Sequence, residues 1–223
     1  IMERNRINQR HIAATLATVF TMSQANVVFP MAAVGLNVPV IIGTSILGGC
    51  IAAASSYYLF SRKLVQTEPY ESQVAPVTTE KKRIFEIVAE GGNTGLQIVA
   101  KSIPLLLIAL IAVNFLKAVD AIPVLQNICA PLFDLIRVNA KMFLPVMTKY
   151  LAGGTAMMGV TLDMLKTGDI SIAEVNRIAG FVINPLDPVG VALLSSVGKR
   201  TQSIVKIALL GSVIGIISRG MLH

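Results

Sequence analysis

The fold is decided by one stretch, Arg177-Ile-Ala-Gly-Phe-Val-Ile-Asn184-Pro185-Leu-Asp187-Pro188-Val-Gly190-Val-Ala-Leu-Leu-Ser-Ser-Val-Gly198-Lys199. Its basic ends enclose 21 residues, enough for a helix to cross a bilayer, and Asp187 is the one charge among them. Pro185 and Pro188 lack a backbone donor and clash with the preceding turn, so we expect a broken helix. In hydrocarbon, such a break and its carboxylate must be satisfied by protein or by a water-filled cavity. The stretch therefore predicts a solute site near the bilayer midplane.

A second interpretation is a kinked membrane helix in which Asp187 only caps the second half. The cost of placing a charge inside a membrane favours a functional role for the carboxylate over this alternative.

Composition places the chain among helical membrane proteins. Apolar residues make up 54% and charged residues 14%, with a mean hydropathy of +0.71, whereas soluble domains carry about 25% charged residues. The net charge of +7 comes from basic residues at the ends of apolar segments, as the positive-inside rule expects, so we expect no nucleic-acid partner. We predict an all-α, polytopic membrane protein with broken helices and re-entrant hairpins.

Two further apolar regions carry polar groups. Residues 11–61 contain no Asp, Glu, Lys or Arg, which leaves room for two spans, and the first of them contains Ser23, Gln24 and Asn26 at a second predicted interruption. Lys141 and Asp163 then enclose 21 residues with one charge, Lys149.

Lys149 precedes Gly153-Gly154-Thr155, which suits a helical hairpin that turns back within the bilayer. A lone charge at the bilayer centre is costly, so we expect Lys149 and Asp187 to approach one another. The alternative is that the long side chain of Lys149 snorkels to one face.

The remaining segments give simpler predictions. Residues 121–137 are short for a span, and we expect Pro123 and Pro131 to break them, so they predict a re-entrant or interfacial piece. Residues 101–117 and 201–219 each predict a further span, and Ser171 with Glu174 forms a capping-box pattern at a helix start. Cys50 and Cys129 lie in apolar surroundings without a Cys-x-x-Cys or His partner, so we expect buried thiols and not a disulfide or metal site.

A weak internal repeat divides the chain. The stretch Met22–Val27 aligns with Asn184–Val189, and each is followed by a glycine-bearing span, residues 41–55 and 204–218. Paired interruptions are typical of two-repeat transporters. We therefore divide the chain into residues 1–60, the end of a first repeat, residues 61–80, a cytoplasmic loop, and residues 81–223, a complete second repeat. Because the chain begins with Ile, we expect a piece of a longer protein.

Four motifs resemble the Gate domain, the nucleoside-recognition module. They are Glu90-Gly91-x-x-x-Gly95-Leu96, Asn127-x-x-x-Pro131, Gly153-Gly154-Thr155-Ala156 and Asn184-Pro185-x-Asp187-x-Val189-Gly190. Concentrative nucleoside transporters, the membrane part of ferrous-iron transporters and stand-alone bacterial proteins, including the spore-maturation proteins, share this module, and the similarity is strongest to the stand-alone members. The resemblance implies re-entrant hairpins and broken helices around a small-solute site in a bacterial inner membrane.

The leading hypothesis is a transporter or permease subunit for a small polar solute, nucleoside-like or an ion, without a cofactor or bound metal. The residues expected at its site are Ser23, Gln24, Asn26, Lys149, Gly154, Thr155, Asn184 and Asp187. Sodium or proton coupling through Asp187 is open, and we expect a homo-oligomer or a paired subunit of the same family. The alternative is a membrane scaffold or assembly partner that transports nothing. An enzyme is not expected, because the sequence shows no nucleophile–base pair. Its two histidines, His11 and His223, lie near the two ends of the sequence.

Overall fold

A computed structural model describes residues 8–63, 118–135, 138–195 and 199–223, together with 85, 86, 89, 92, 93, 96, 104, 107, 111, 114 and 115. All regular secondary structure in these residues is helical. Three stretches are long and apolar enough to cross a membrane: Gln9–Ala32, Val38–Phe60 and Ile204–Met221. The predicted helical membrane protein is thereby confirmed. The internal repeat, the domain division and the re-entrant hairpins stay predictions.

Nine α-helices have both of their ends within the described ranges. They are α1 (Gln9–Thr21), α2 (Ala25–Ala32), α3 (Val38–Ala54), α4 (Ala121–Leu135), α5 (Phe143–Ala152), α6 (Gly154–Lys166), α7 (Ile172–Val182), α8 (Pro188–Ser195) and α9 (Lys199–Met221). A π-helical segment, Ser55–Phe60, continues α3 and is followed by a 3₁₀ turn, Ser61–Lys63. Another 3₁₀ turn, Ala140–Met142, leads into α5. Most of the predicted span at residues 101–117, most of the motif at residues 90–96 and most of the predicted loop lie outside the described residues.

The helices α1, α3 and α9 pack together as one bundle. Glycines allow this close approach: a Cβ added to Gly215 of α9 would lie 2.6 Å from the carbonyl oxygen of Gly48 in α3. Gly211, one turn earlier, meets Ala52 and Ser56 in the same way, with its added Cβ 2.9 Å from the Ala52 oxygen. Small residues at such an interface let two backbones pack directly, as in many membrane helix pairs.

A second apolar cluster is formed by side chains of the helices α2, α3, α4, α5, α6 and α7. Its buried members include Val27, Met31, Phe133, Met142 and Ile178, and the rings of Phe133 and Phe143 meet edge to face with centroids 6.4 Å apart.

Cys50 of α3 is exposed, so the prediction of a buried thiol is wrong there.

The helix α4 differs from the expectation for residues 121–137. It runs from Ala121 to Leu135 without a break, and Pro131 lies inside it. Pro123 falls in the first turn, where a missing N–H donor costs little because the first N–H groups of a helix have no intrahelical partner. The predicted interruption by two prolines is therefore wrong for this segment.

The capping box at the start of α7 is confirmed. The Ser171 amide donates to Glu174 Oε2 at 2.7 Å, and the Glu174 amide donates to Ser171 Oγ at 3.3 Å. Burial by itself would raise the pKa of Glu174, but the hydrogen bonds from the Ser171 amide and hydroxyl, together with a hydrogen bond from Asn139 and the charge of Lys141, lower that pKa overall. The box fixes the residue at which α7 begins.

Candidate functional site

The second interruption, Ile183–Asp187, separates α7 from α8. Asn184 is fully buried and closes this turn: its Nδ2 donates to the Phe181 carbonyl at 2.7 Å, and its Oδ1 accepts from the Leu186 amide at 3.0 Å. Both ends of the amide are therefore used within the turn. In this conformation Asn184 shapes the break, and its hydrogen-bonding groups do not face open space.

Asp187 begins α8 and pairs with Lys149. One carboxylate oxygen, Oδ1, accepts from the Gly190 amide at 2.8 Å, which is the N-cap geometry. The other, Oδ2, accepts from Lys149 Nζ at 2.5 Å, and the two side chains are 2% and 0% exposed. The predicted approach of these charges is confirmed. Lys149 does not snorkel, because its ammonium is buried at this contact.

A third interruption lies directly beside the ion pair. Gly153 separates α5 from α6 with φ +90°, a conformation that residues with a side chain rarely adopt. A Cβ placed on Gly153 would lie 3.7 Å from the carboxylate atoms of Asp187. The carboxylate thus lies close to the start of α6, where no side chain caps the free amides. Asp187 is therefore close to two helix N-termini, which carry partial positive charge.

The first interruption, Met22–Gln24, separates α1 from α2 and contacts the same region. Gln24 Oε1 is buried without a hydrogen-bond partner, and a Cβ added to Gly154 would collide with it. Nearby, Asn26 Nδ2 donates to Thr155 Oγ1 at 3.2 Å in a position exposed at the surface of the chain. The starts of α2 and α6 therefore lie against each other.

Ser23 belongs to a separate polar group in this region. Its hydroxyl lies 2.5 Å from that of Ser45 in α3 and accepts from Arg219 Nη2 at 2.6 Å. Of the eight predicted residues, the structure thus brings together three pairs: Lys149 with Asp187, Asn26 with Thr155, and Gln24 with Gly154. Ser23 and Asn184 bond to residues outside this set. The part that the eight residues take in solute binding stays a prediction.

Arg219 is fully buried near the end of α9, which the sequence does not predict. Its Nη1 donates to the Thr21 carbonyl at 2.9 Å and to the Ile183 carbonyl at 2.8 Å. These carbonyls end α1 and α7, so one guanidinium contacts both interruptions. The sequence indicates only a cation at the end of the last span, where an interfacial position is expected. Contacts across 198 and 36 positions leave no local pattern.

The described residues contain no group of three or more His, Cys, Asp or Glu side chains that could hold a metal ion. A cavity of about 450 Å³ lies away from the ion pair, at the far end of α7 and the end of α9. Its lining residues are Ala173, Glu174, Asn176, Arg177 and His223. None of the eight residues predicted for the site lines this cavity.

Comparison with known proteins shows a similarity to a spore-maturation protein. No family model matches the chain, and no solved structure matches it. The chain is similar to Spore maturation protein B of Bacillus subtilis (strain 168), at 27% identity over 146 residues, which cover 63% of this chain and 80% of that protein. This relative is a spore-maturation protein, as the resemblance of the motifs indicates. The chain is a helical membrane protein with similarity to a spore maturation protein.

Proposed function

We propose that the chain is a transporter or permease subunit of the Gate type that moves a small polar solute across the bacterial cytoplasmic membrane. The observation that carries this proposal is the buried Lys149–Asp187 pair at the meeting point of interrupted helices. Transporters place solute sites at such broken helices, near the bilayer midplane.

The cost of the pair supports a role beyond holding the fold. Moving two charges out of water costs several kcal/mol per ion, and a well-packed apolar pair of similar volume is often as stable or more so. Packing alone therefore gives no reason to keep Lys149 and Asp187. A solute with both a hydrogen-bond donor and an acceptor would let the pair separate, because its donor would bind Asp187 and its acceptor would bind Lys149.

The chemistry of the pair limits the solute to polar molecules with both kinds of group, or to ions. When the pair opens, Asp187 accepts a hydrogen bond or binds a cation, and Lys149 donates to a carbonyl, hydroxyl or anionic oxygen. A nucleoside fits this description, since its base and sugar carry donors and acceptors. Sodium or a proton would be coupled through Asp187, because it is the carboxylate of the pair.

The test is solute binding and uptake by the purified chain. We expect one member of a panel of nucleosides, amino acids and sodium salts to raise the melting temperature and to enter proteoliposomes. Asp187→Asn should abolish that uptake, whereas Asp169→Asn, in an exposed pair with Lys141, should not. Uptake by Asp187→Asn with unchanged sodium and pH dependence would refute the assignment.

The second candidate, a membrane scaffold or assembly partner, is favoured by a different observation. Each charge of the pair is already satisfied and closed to solvent in this conformation, as in a static core. Replacing Gln24 and Asn26 by alanine distinguishes the two candidates. A scaffold would still bind its protein partner, whereas a transporter would no longer bind its solute. In either case we propose a homo-oligomer or a paired subunit of the same family.

A further inference from the structure

Two of the interruptions, Met22–Gln24 and Ile183–Asp187, each free a backbone carbonyl from its helical partner. In a continuous helix the Thr21 oxygen would accept from residue 25 and the Ile183 oxygen from residue 187. Here α1 ends at Thr21, and the Asp187 amide donates to the Pro185 oxygen instead. An unsatisfied carbonyl in an apolar interior is costly. Both freed carbonyls are satisfied by the same Arg219 nitrogen, Nη1.

Arg219 can bridge the Thr21 and Ile183 carbonyls because glycines without side chains lie next to it in α3 and α7. A Cβ on Gly48 of α3 would lie 3.0 Å from Arg219 Cβ, and a Cβ on Gly180 of α7 would lie 2.8 Å from the Arg219 carbonyl oxygen. The guanidinium has five donors in a planar fork, so one side chain reaches three acceptors in fixed directions.

The positive charge of Arg219 is compensated by the C-terminal ends of two helices. No carboxylate of the described residues lies within 4 Å of it, and its Nε has no hydrogen-bond partner. The C-termini of α1 and α7 supply partial negative charge at the two carbonyls. Displacing either helix end therefore leaves a buried cation less well compensated, which links the position of one break to that of the other.

We propose that Arg219 is a positioning residue that couples the two interruptions, so that movement at Ser23 is transmitted to the turn that carries Asp187. Its use in transport rests on the proposed function. The coupling itself is a property of the fold and needs no solute.

Hydrogen exchange, followed by mass spectrometry on the full chain in detergent, tests the coupling. In the second break the Leu186 and Gly190 amides donate to side chains of their own turn, so their exchange reports on that turn. Ser23→Ala removes one acceptor of Arg219 in the first break. Losing about 1 kcal/mol of hydrogen bonding corresponds to roughly fivefold, and we expect peptides covering 183–191 to exchange about fivefold faster.

Thr15→Ala is the matched control, because Thr15 bonds, among the described residues, only within its own helix, at the His11 carbonyl. It should leave 183–191 unchanged. Faster exchange confined to residues 20–27 in Ser23→Ala would overturn the proposal. Arg219→Met should speed amide exchange in peptides that cover either break. Arg219→Lys should slow that exchange again in part, because the lysine ammonium can donate to the two carbonyls. If Arg219→Met does not fold, Ser23→Ala and Arg219→Lys decide the question.

The result is separate from the uptake assay. Loss of uptake activity with intact coupling would refute the transport role alone. Uptake without coupling would refute the role of Arg219 alone.

Discussion

Removing one charge of the buried pair should be far more damaging than removing both. We consider Lys149→Met and Asp187→Asn, singly and together. Asn at position 187 keeps an oxygen for the Gly190 amide, which Asp187 Oδ1 accepts at 2.8 Å, so the N-cap of α8 is retained. The change is thereby confined to the charge that faces Lys149.

The magnitude follows from burial, because the two side chains are 0% and 2% exposed. A buried charge that loses its partner costs about 3–5 kcal/mol. For a chain of this size, each kcal/mol lowers the melting temperature by roughly 2–4 °C. Each single variant should therefore melt roughly 6–20 °C lower than the parent. The double variant buries no charge at this site, so we expect it to recover more than half of the loss.

Circular dichroism of the helical signal, measured in one detergent, gives these melting temperatures. The matched control is the Lys141–Asp169 pair, at 3.3 Å and with side chains 54% and 50% exposed. Lys141→Met and Asp169→Asn should leave the melting temperature nearly unchanged, because water screens exposed pairs. A double variant at Lys149 and Asp187 that loses as much as the two single variants added together would refute the reasoning. So would Lys149→Met melting at the parent temperature.

Three further predictions concern helix packing, capping and pH. Gly215→Ala should destabilise the bundle by about 1–3 kcal/mol because its Cβ meets backbone, whereas Gly43→Ala, with nothing within 4 Å, should not; thermal melting in detergent compares the two. Ser171→Ala removes the capping box of α7 and should cost about 1 kcal/mol, seen as a lower melting temperature, and an unchanged value would contradict the cap. Burial, then the charge of Arg219, lowers the pKa of His223, so its stabilising contribution is present above pH 6.5 and is lost as the pH falls through the lowered pKa. His223→Gln should reduce the drop in melting temperature between pH 7.5 and 5.5, and an equal drop in both proteins would contradict this account.

The site places each buried charge at helix ends of the opposite partial charge. Asp187 lies at the N-terminus of α8 and beside that of α6, and Arg219 contacts the C-termini of α1 and α7. Each interruption thus creates partial charges that a continuous helix would not present at this depth. Lys149, in the last turn of α5, completes the arrangement. The breaks and the buried charges are physically interdependent.

Several features follow from residues near one another in the chain. The interruption at Pro185 and Pro188 is dictated by missing donors and ring clashes, and the capping box at Ser171 by a spacing of three residues. Apolar length predicts the spans, because crossing hydrocarbon requires about 20 residues. Even the approach of Lys149 and Asp187 could be predicted, since each is the lone charge of its segment and a buried charge needs a partner.

The sequence by itself determined that the chain is a helical membrane protein, where its helix around Asp187 breaks, and that its two deepest charges require each other. Only the tertiary structure decided that Arg219 is buried, that it holds the ends of α1 and α7, and that Asn184 is used inside its own turn. It also decided that α4 continues through Pro131. Breaks and spans depend on local stereochemistry and segment hydrophobicity. The partners of a freed carbonyl depend on which helices meet, and no residue near Thr21 or Ile183 in the chain specifies that.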